Sequence, residues 1–174
     1  MENLCGLNML MEIKRGKILT LAVSALCVGV LVYVFDRQAE FVYFLPSWMS
    51  LYCEQCGFFG NIGNYLPTFI HVYVFILLTA VIAVPCIARL IPVCLLWLVI
   101  DSIFEIAQLN LIAKWIGSHT PTWFNNIPFL ENTTSYFLLG TFDVLDLVSI
   151  TIGAIAAYLT VVFIQDGHIN DTSI

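Results

Sequence analysis

Four stretches of the chain stay apolar for long enough to cross a bilayer as helices, which takes about 20 residues. They run over roughly 18–35, 67–84, 93–113 and 143–164. The third contains an exception, the run DSIFEIAQL at 101–109. Asp101, Glu105 and Gln108 are spaced i, i+4, i+7, and at 3.6 residues per turn they share one face of a helix. An acid at the centre of a span costs about 2.5–3.5 kcal/mol on insertion scales. The spacing therefore predicts that this face turns toward other helices or a wet cavity.

Pro85 and Pro92 bracket the short link CIARLI, so spans two and three are predicted to run antiparallel with a tight connection. Span three then ends where spans two and four begin. Thr68 and His71 lie in the opening turns of span two, and Asp143 and Asp146 open span four. His71, Glu105, Gln108, Asp143 and Asp146 are the expected walls of a polar pocket at the long-loop end, with Asp101 deeper. Gly153 and Ala157 form a small-xxx-small pattern that lets helices approach closely. It is expected to pack span four against span two or three and to bring Asp146 toward Glu105. Each residue also has a plainer role. Asp143 and Asp146 complement a helix dipole, His71 bonds a backbone carbonyl, and Gln108 joins helices.

Composition turns these spans into a class. Of 174 residues, 60% are apolar and only 10% charged, with mean hydropathy +0.95. Soluble domains run nearer half apolar and a quarter charged. The expectation is an all-α polytopic membrane protein: one domain, four transmembrane helices, and two long aromatic-rich loops on one side. The net charge is −6 and the six Lys and Arg are scattered, which excludes the basic patch of a nucleic-acid binder.

Lys14, Arg15, Lys17 and Arg89 flank one side and Arg37 and Lys114 the other, which places both termini in the cytoplasm. The loops at roughly 36–66 and 114–142 then lie outside. Their aromatics, Trp48 and Trp123 among them, suit the headgroup level, either as anchors or as a lid. FDRQAEF after the first span lacks the small-x-small pattern of a cleaved signal, so that span is read as retained.

Cys53 and Cys56 form a C-x-x-C in the first loop. Gly57 stands where haem attachment needs His, and no zinc partners lie nearby. An oxidised structural pair or two thiols are the expected states. No cofactor is implied. His with carboxylates can bind a metal, but no ligand spacing supports one.

FEIAQ, followed later by GTFDVLDLVSITIGA, resembles the VanZ-like membrane proteins, which carry E-x-x-Q on one span and D-x-x-D before a Gly-containing span. Glu105 and Gln108 match the first motif; Asp143, Asp146 and Gly153 match the second. The resemblance covers roughly residues 67–158. The chain departs where the family often has Arg ahead of D-x-x-D (here Gly140 and Thr141) and Asn after it (here Ile150). The resemblance implies a small helical protein of the bacterial cytoplasmic membrane, associated with cell-envelope lipids. It carries over no reaction.

The function expected from the residues is recognition of a polar or cationic lipid headgroup, or of an amphiphile, at the outer leaflet. The excess of acid over base motivates the cationic preference. Two rivals stand beside it. One is an enzyme acting on a lipid headgroup with a carboxylate and His71 as acid and base. The other is a structural subunit whose buried acids pair with a protein partner's basic residues.

Overall fold

A computed structural model describes the chain apart from residues 1, 39–41, 43–46, 54–56, 84–88 and 167–174, and gives only the backbone of 2–14, 47 and 166. Six α-helices and three short 3-10 turns make up the described elements, with no strand among them. They are α1 (Glu2–Asp36), α2 (Ile62–Ala83), α3 (Leu90–Ile106), α4 (Asn110–His119), α5 (Thr133–Leu139) and α6 (Val144–Asp166). Three helical segments, Arg15–Asp36, Ile62–Ala83 and Val144–Gln165, are each long and apolar enough to cross a membrane. A fourth is reached if α3 and α4 count as one bent span.

The expected third span, 93–113, is where the structure departs from the sequence expectation. The straight helix stops at Ile106, and α4 leaves it at 92°. The backbone shows how. Gln108 N–H bonds Glu105 O at 3.1 Å and Leu109 N–H bonds Ile106 O at 3.0 Å, so the last turn tightens to i→i+3. Leu109 then leaves helical space at φ −56, ψ 129. No Pro or Gly marks this break, so apolar periodicity runs straight through it.

The expected second span starts at Pro67, but α2 begins at Ile62 and Pro67 lies inside it. A proline there removes an N–H that would bond the carbonyl four residues back, which is Gly63. Arg37 serves that carbonyl: its Nη2 donates to Gly63 O at 3.4 Å and to Asn64 O at 3.2 Å. Next to it, Asp36 accepts the Phe58 and Phe59 N–H groups, both at 2.9 Å. The last residue of α1 and the residue after it thus fasten the loop end to the start of α2. Cys53 in this loop is disulfide-bonded; Cys56 lies outside the described residues.

α2 and α6 form the most extensive helix pair; α1 packs on α2, and α3 packs on both α6 and α2. The shared core takes Ile18 and Ala22 from α1, Ile76 and Leu77 from α2, Leu90 from α3, and Ile150, Ala157 and Val161 from α6. Gly153 sets the α2–α6 distance. A Cβ there would stand 2.5 Å from Val72 Cγ1 and 2.7 Å from the Phe69 carbonyl oxygen. The small-xxx-small face of span four is therefore spent on α2. Over the long-loop end, α4 and α5 form a cap on their own small core of Ala107, Ala113 and Phe137.

Candidate functional site

The sides of α3 are inverted relative to a soluble helix. Asp101 and Glu105 are buried at 7% and 6% exposure, while Leu95, Leu96, Val99, Ile103 and Phe104 are exposed. The i, i+4, i+7 face does turn inward, and each of its side chains meets a different element. Asp101 Oδ2 lies 3.1 Å from His71 Nδ1 on α2. Glu105 Oε1 accepts the Asp143 backbone N–H at 2.8 Å, at the start of α6. Gln108 is in close polar contact with Tyr136 on α5, and it fills the space over Gly140, where a Cβ would come within 2.5 Å of its Oε1.

Asp143 caps α6. Its Oδ1 accepts the Leu145 N–H at 2.9 Å, as an N-cap residue does. Asp146, one turn on, accepts the Thr68 hydroxyl of α2 at 2.7 Å. Glu105 interacts electrostatically with both aspartates. Arg37 is the cation that acts on Asp146, and its donors are directed at the α2 carbonyls described above. Tyr33, Tyr65 and Tyr136 complete the surroundings, Tyr65 against Asp143 and Tyr33 within electrostatic reach of Arg37 and Asp146.

The five predicted residues thus fall into two groups. Glu105, Gln108, Asp143 and Asp146 gather at the long-loop end, hereafter the mouth. His71 pairs instead with Asp101, the residue expected to lie deeper than the pocket. The i, i+4 spacing put Asp101 and Glu105 on one face of α3 but did not say which of the two His71 would meet. Thr68, Arg37, Tyr33, Tyr65 and Tyr136 were not among the expected walls; only Thr68 had a positional cue, three residues before His71. Among the described residues, no group of three or more His, Cys, Asp or Glu side chains is placed to hold a metal ion.

Tyr136 lies outside the membrane-length helices. Withdrawal of its phenol from water raises its pKa above the ordinary value, and the Tyr33, Glu105 and Asp101 groups push the same way while Gln108 opposes. Phe104 stacks on Phe137 with ring centroids 6.0 Å apart and meets Tyr136 edge-on at 6.4 Å, so the cap is seated on α3.

No family model, curated protein or solved structure matches this chain at a significant level. The chemistry of the site therefore rests on its own geometry.

Proposed function

We propose that the chain is an integral membrane protein of four spans, with α3 as the third span and the α4–α5 cap lying along the outer surface. Both termini are then cytoplasmic, and the mouth binds the cationic part of a lipid headgroup or amphiphile at the outer leaflet. One observation carries this. Glu105, Asp143 and Asp146 gather at one end of the bundle with Arg37 as the nearby cation, and the donors of Arg37 are turned to backbone carbonyls. Carboxylates brought together this way are left short of positive charge, which an ammonium group supplies. Tyrosine rings around the acids add faces that attract such a cation. The exposed aliphatic faces of α1, α3 and α6, with acids buried behind them, support a bilayer as the solvent.

The VanZ-like resemblance fits the same proposal. Glu105 of its first motif bonds the N–H of Asp143 in its second, so the two short motifs form one unit. A second reading draws on His71 and Asp101, whose arrangement is that of a base oriented by a carboxylate. It leaves a lipid-modifying enzyme as the alternative, and labelled-lipid turnover lost in His71→Phe would establish it.

The test is binding of dodecyltrimethylammonium, against uncharged dodecyl maltoside, by the purified chain in nanodiscs. Glu105→Gln should weaken the cationic probe about tenfold, ~1.4 kcal/mol, and leave the uncharged one unchanged. Equal affinity of wild type and variant for the cationic probe would overturn the proposal.

A further inference from the structure

His71 is the polar residue the mouth does not use. It lies nine residues into α2, about 14 Å along the helix from its start. Its side chain is 54% exposed, while that of Asp101 is 7% exposed. Nδ1 of the ring faces Asp101; Nε2 has no partner among the described residues. In a helix that crosses a bilayer, a polar group open at this depth meets hydrocarbon unless a ligand meets it, and each unsatisfied group there costs several kcal/mol.

Charge neutrality fixes what that ligand must offer. Residues 62–83, 90–106 and 144–166 contain no Lys or Arg, so His71 is the group on these helices that can neutralise Asp101. A buried charge without a partner is costly. Three net-neutral arrangements exist: an imidazolium beside a carboxylate, a neutral imidazole whose Nδ1 accepts from a carboxylic acid, or one whose Nδ1–H donates to the carbonyl oxygen of that acid. The first two carry a proton on Nε2; the third leaves Nε2 an acceptor, and neither hydrocarbon nor the ester layer of a bilayer holds a donor for it. The form of His71 that a lipid satisfies is thus the one whose exposed edge donates to an acceptor. An ammonium group, having no lone pair, does not serve.

The order of polarity along the bundle is then acceptors at the mouth and one donor deeper. Asp101 and Glu105 are four residues apart on α3, about 6 Å of rise. A glycerolipid has the complementary order, with a charged headgroup above and uncharged ester carbonyls a few bonds below. Past His71 an aromatic strip continues, with Phe75 4.4 Å from the imidazole and Trp97 4.6 Å from Phe75, ring centre to ring centre. Trp97 is held by its Nε1–H donating to Thr79 at 2.9 Å. We propose that His71, anchored by Asp101, donates a hydrogen bond from Nε2 to an ester carbonyl of a glycerolipid lying against α2 and α3. The proposal rests on the reading that the same lipid lodges its headgroup at the mouth.

The test uses the full chain with ¹⁵N-labelled histidine, reconstituted in phosphatidylethanolamine vesicles whose ester carbonyls carry ¹³C. Solid-state NMR should show a protonated His71 Nε2 correlated with the lipid carbonyl, a signal that His71→Phe removes. In native mass spectrometry the chain should retain the diester lipid about tenfold over its diether analogue. His71→Gln, which keeps an N–H donor, should restore part of that preference. An unprotonated Nε2, a correlation only with water or a protein carbonyl, or equal retention of diester and diether would overturn the proposal. Ethanolamine over glycerol headgroups is measured in parallel. If that preference persists without the ester preference, the donor site fails and the mouth stands; if both vanish, both fail.

Discussion

The α2–α6 seam and the mouth hold the same helices together by opposite means. At the seam, contact depends on a side chain that is absent: Gly153 lets Val72 and the Phe69 carbonyl approach, and Ala154 and Ala157 continue the dry face. At the mouth, contact depends on side chains that reach across. Glu105 bonds the start of α6, Asp146 takes the Thr68 hydroxyl, and Gln108 meets Tyr136. Helices in lipid gain nothing from apolar contact that the acyl chains do not also offer, so association falls to close packing and to polar bonds. This chain separates the two by depth. The dry seam lies in the body of the bundle, and the polar fastenings cluster at its long-loop end, where the proposed headgroup would bind. A polar site of this kind can change or release its bonds without opening the core.

The largest effect should come from filling the seam. Gly153→Val puts carbon into backbone as well as side chain, and we expect a loss of about 3 kcal/mol, seen as reduced unfolding stability in detergent. A smaller loss, about 1–2 kcal/mol, should follow His71→Phe, which strips Asp101 of its partner; the double variant His71→Phe with Asp101→Leu should recover part of it. Additive losses would mean that the two side chains do not act as a pair. At the mouth, Glu105→Leu leaves the Asp143 N–H without its acceptor, costing about 1–3 kcal/mol. Glu105→Gln keeps the acceptor and should leave stability within about 0.5 kcal/mol while cationic-probe binding falls. Comparable unfolding midpoints for the Leu and Gln variants would show that the bond to Asp143 contributes little.

The smallest effect concerns pH. Tyr136 holds its proton more tightly folded than unfolded. The folded state then binds more protons than the unfolded one above pH ~10, so stability is intact below that value and declines as pH rises through the raised folded value. Tyr136→Phe should flatten this decline in alkaline thermal melts.

Much of this architecture was legible in the sequence because a bilayer is a demanding solvent. Long apolar runs located the membrane-length helices, and the spacing of Asp101, Glu105 and Gln108 identified the inward face of α3. The break after Ile106 was not legible. It is made by a tightened turn at Ala107–Leu109, in residues that also suit a continuous helix. The pairing of His71 was half legible: its depth could be counted, but not which acid it would face, since that depends on how α3 rotates against α2. Arg37 was read only as a loop charge. Its use at Gly63 follows from Pro67 lying inside α2, and that in turn from where the helix begins.

The claim on which the site depends is that α3 reaches the start of α6 through Glu105. Solid-state NMR on the full chain in vesicles, with ¹³C in glutamate carboxylates and ¹⁵N in aspartate amides, measures it directly. The account predicts a short carboxylate-to-amide contact, consistent with the 2.8 Å bond between Glu105 Oε1 and Asp143 N, that disappears in Glu105→Gln. No such contact in the unmodified chain, or one that survives the substitution, would contradict it.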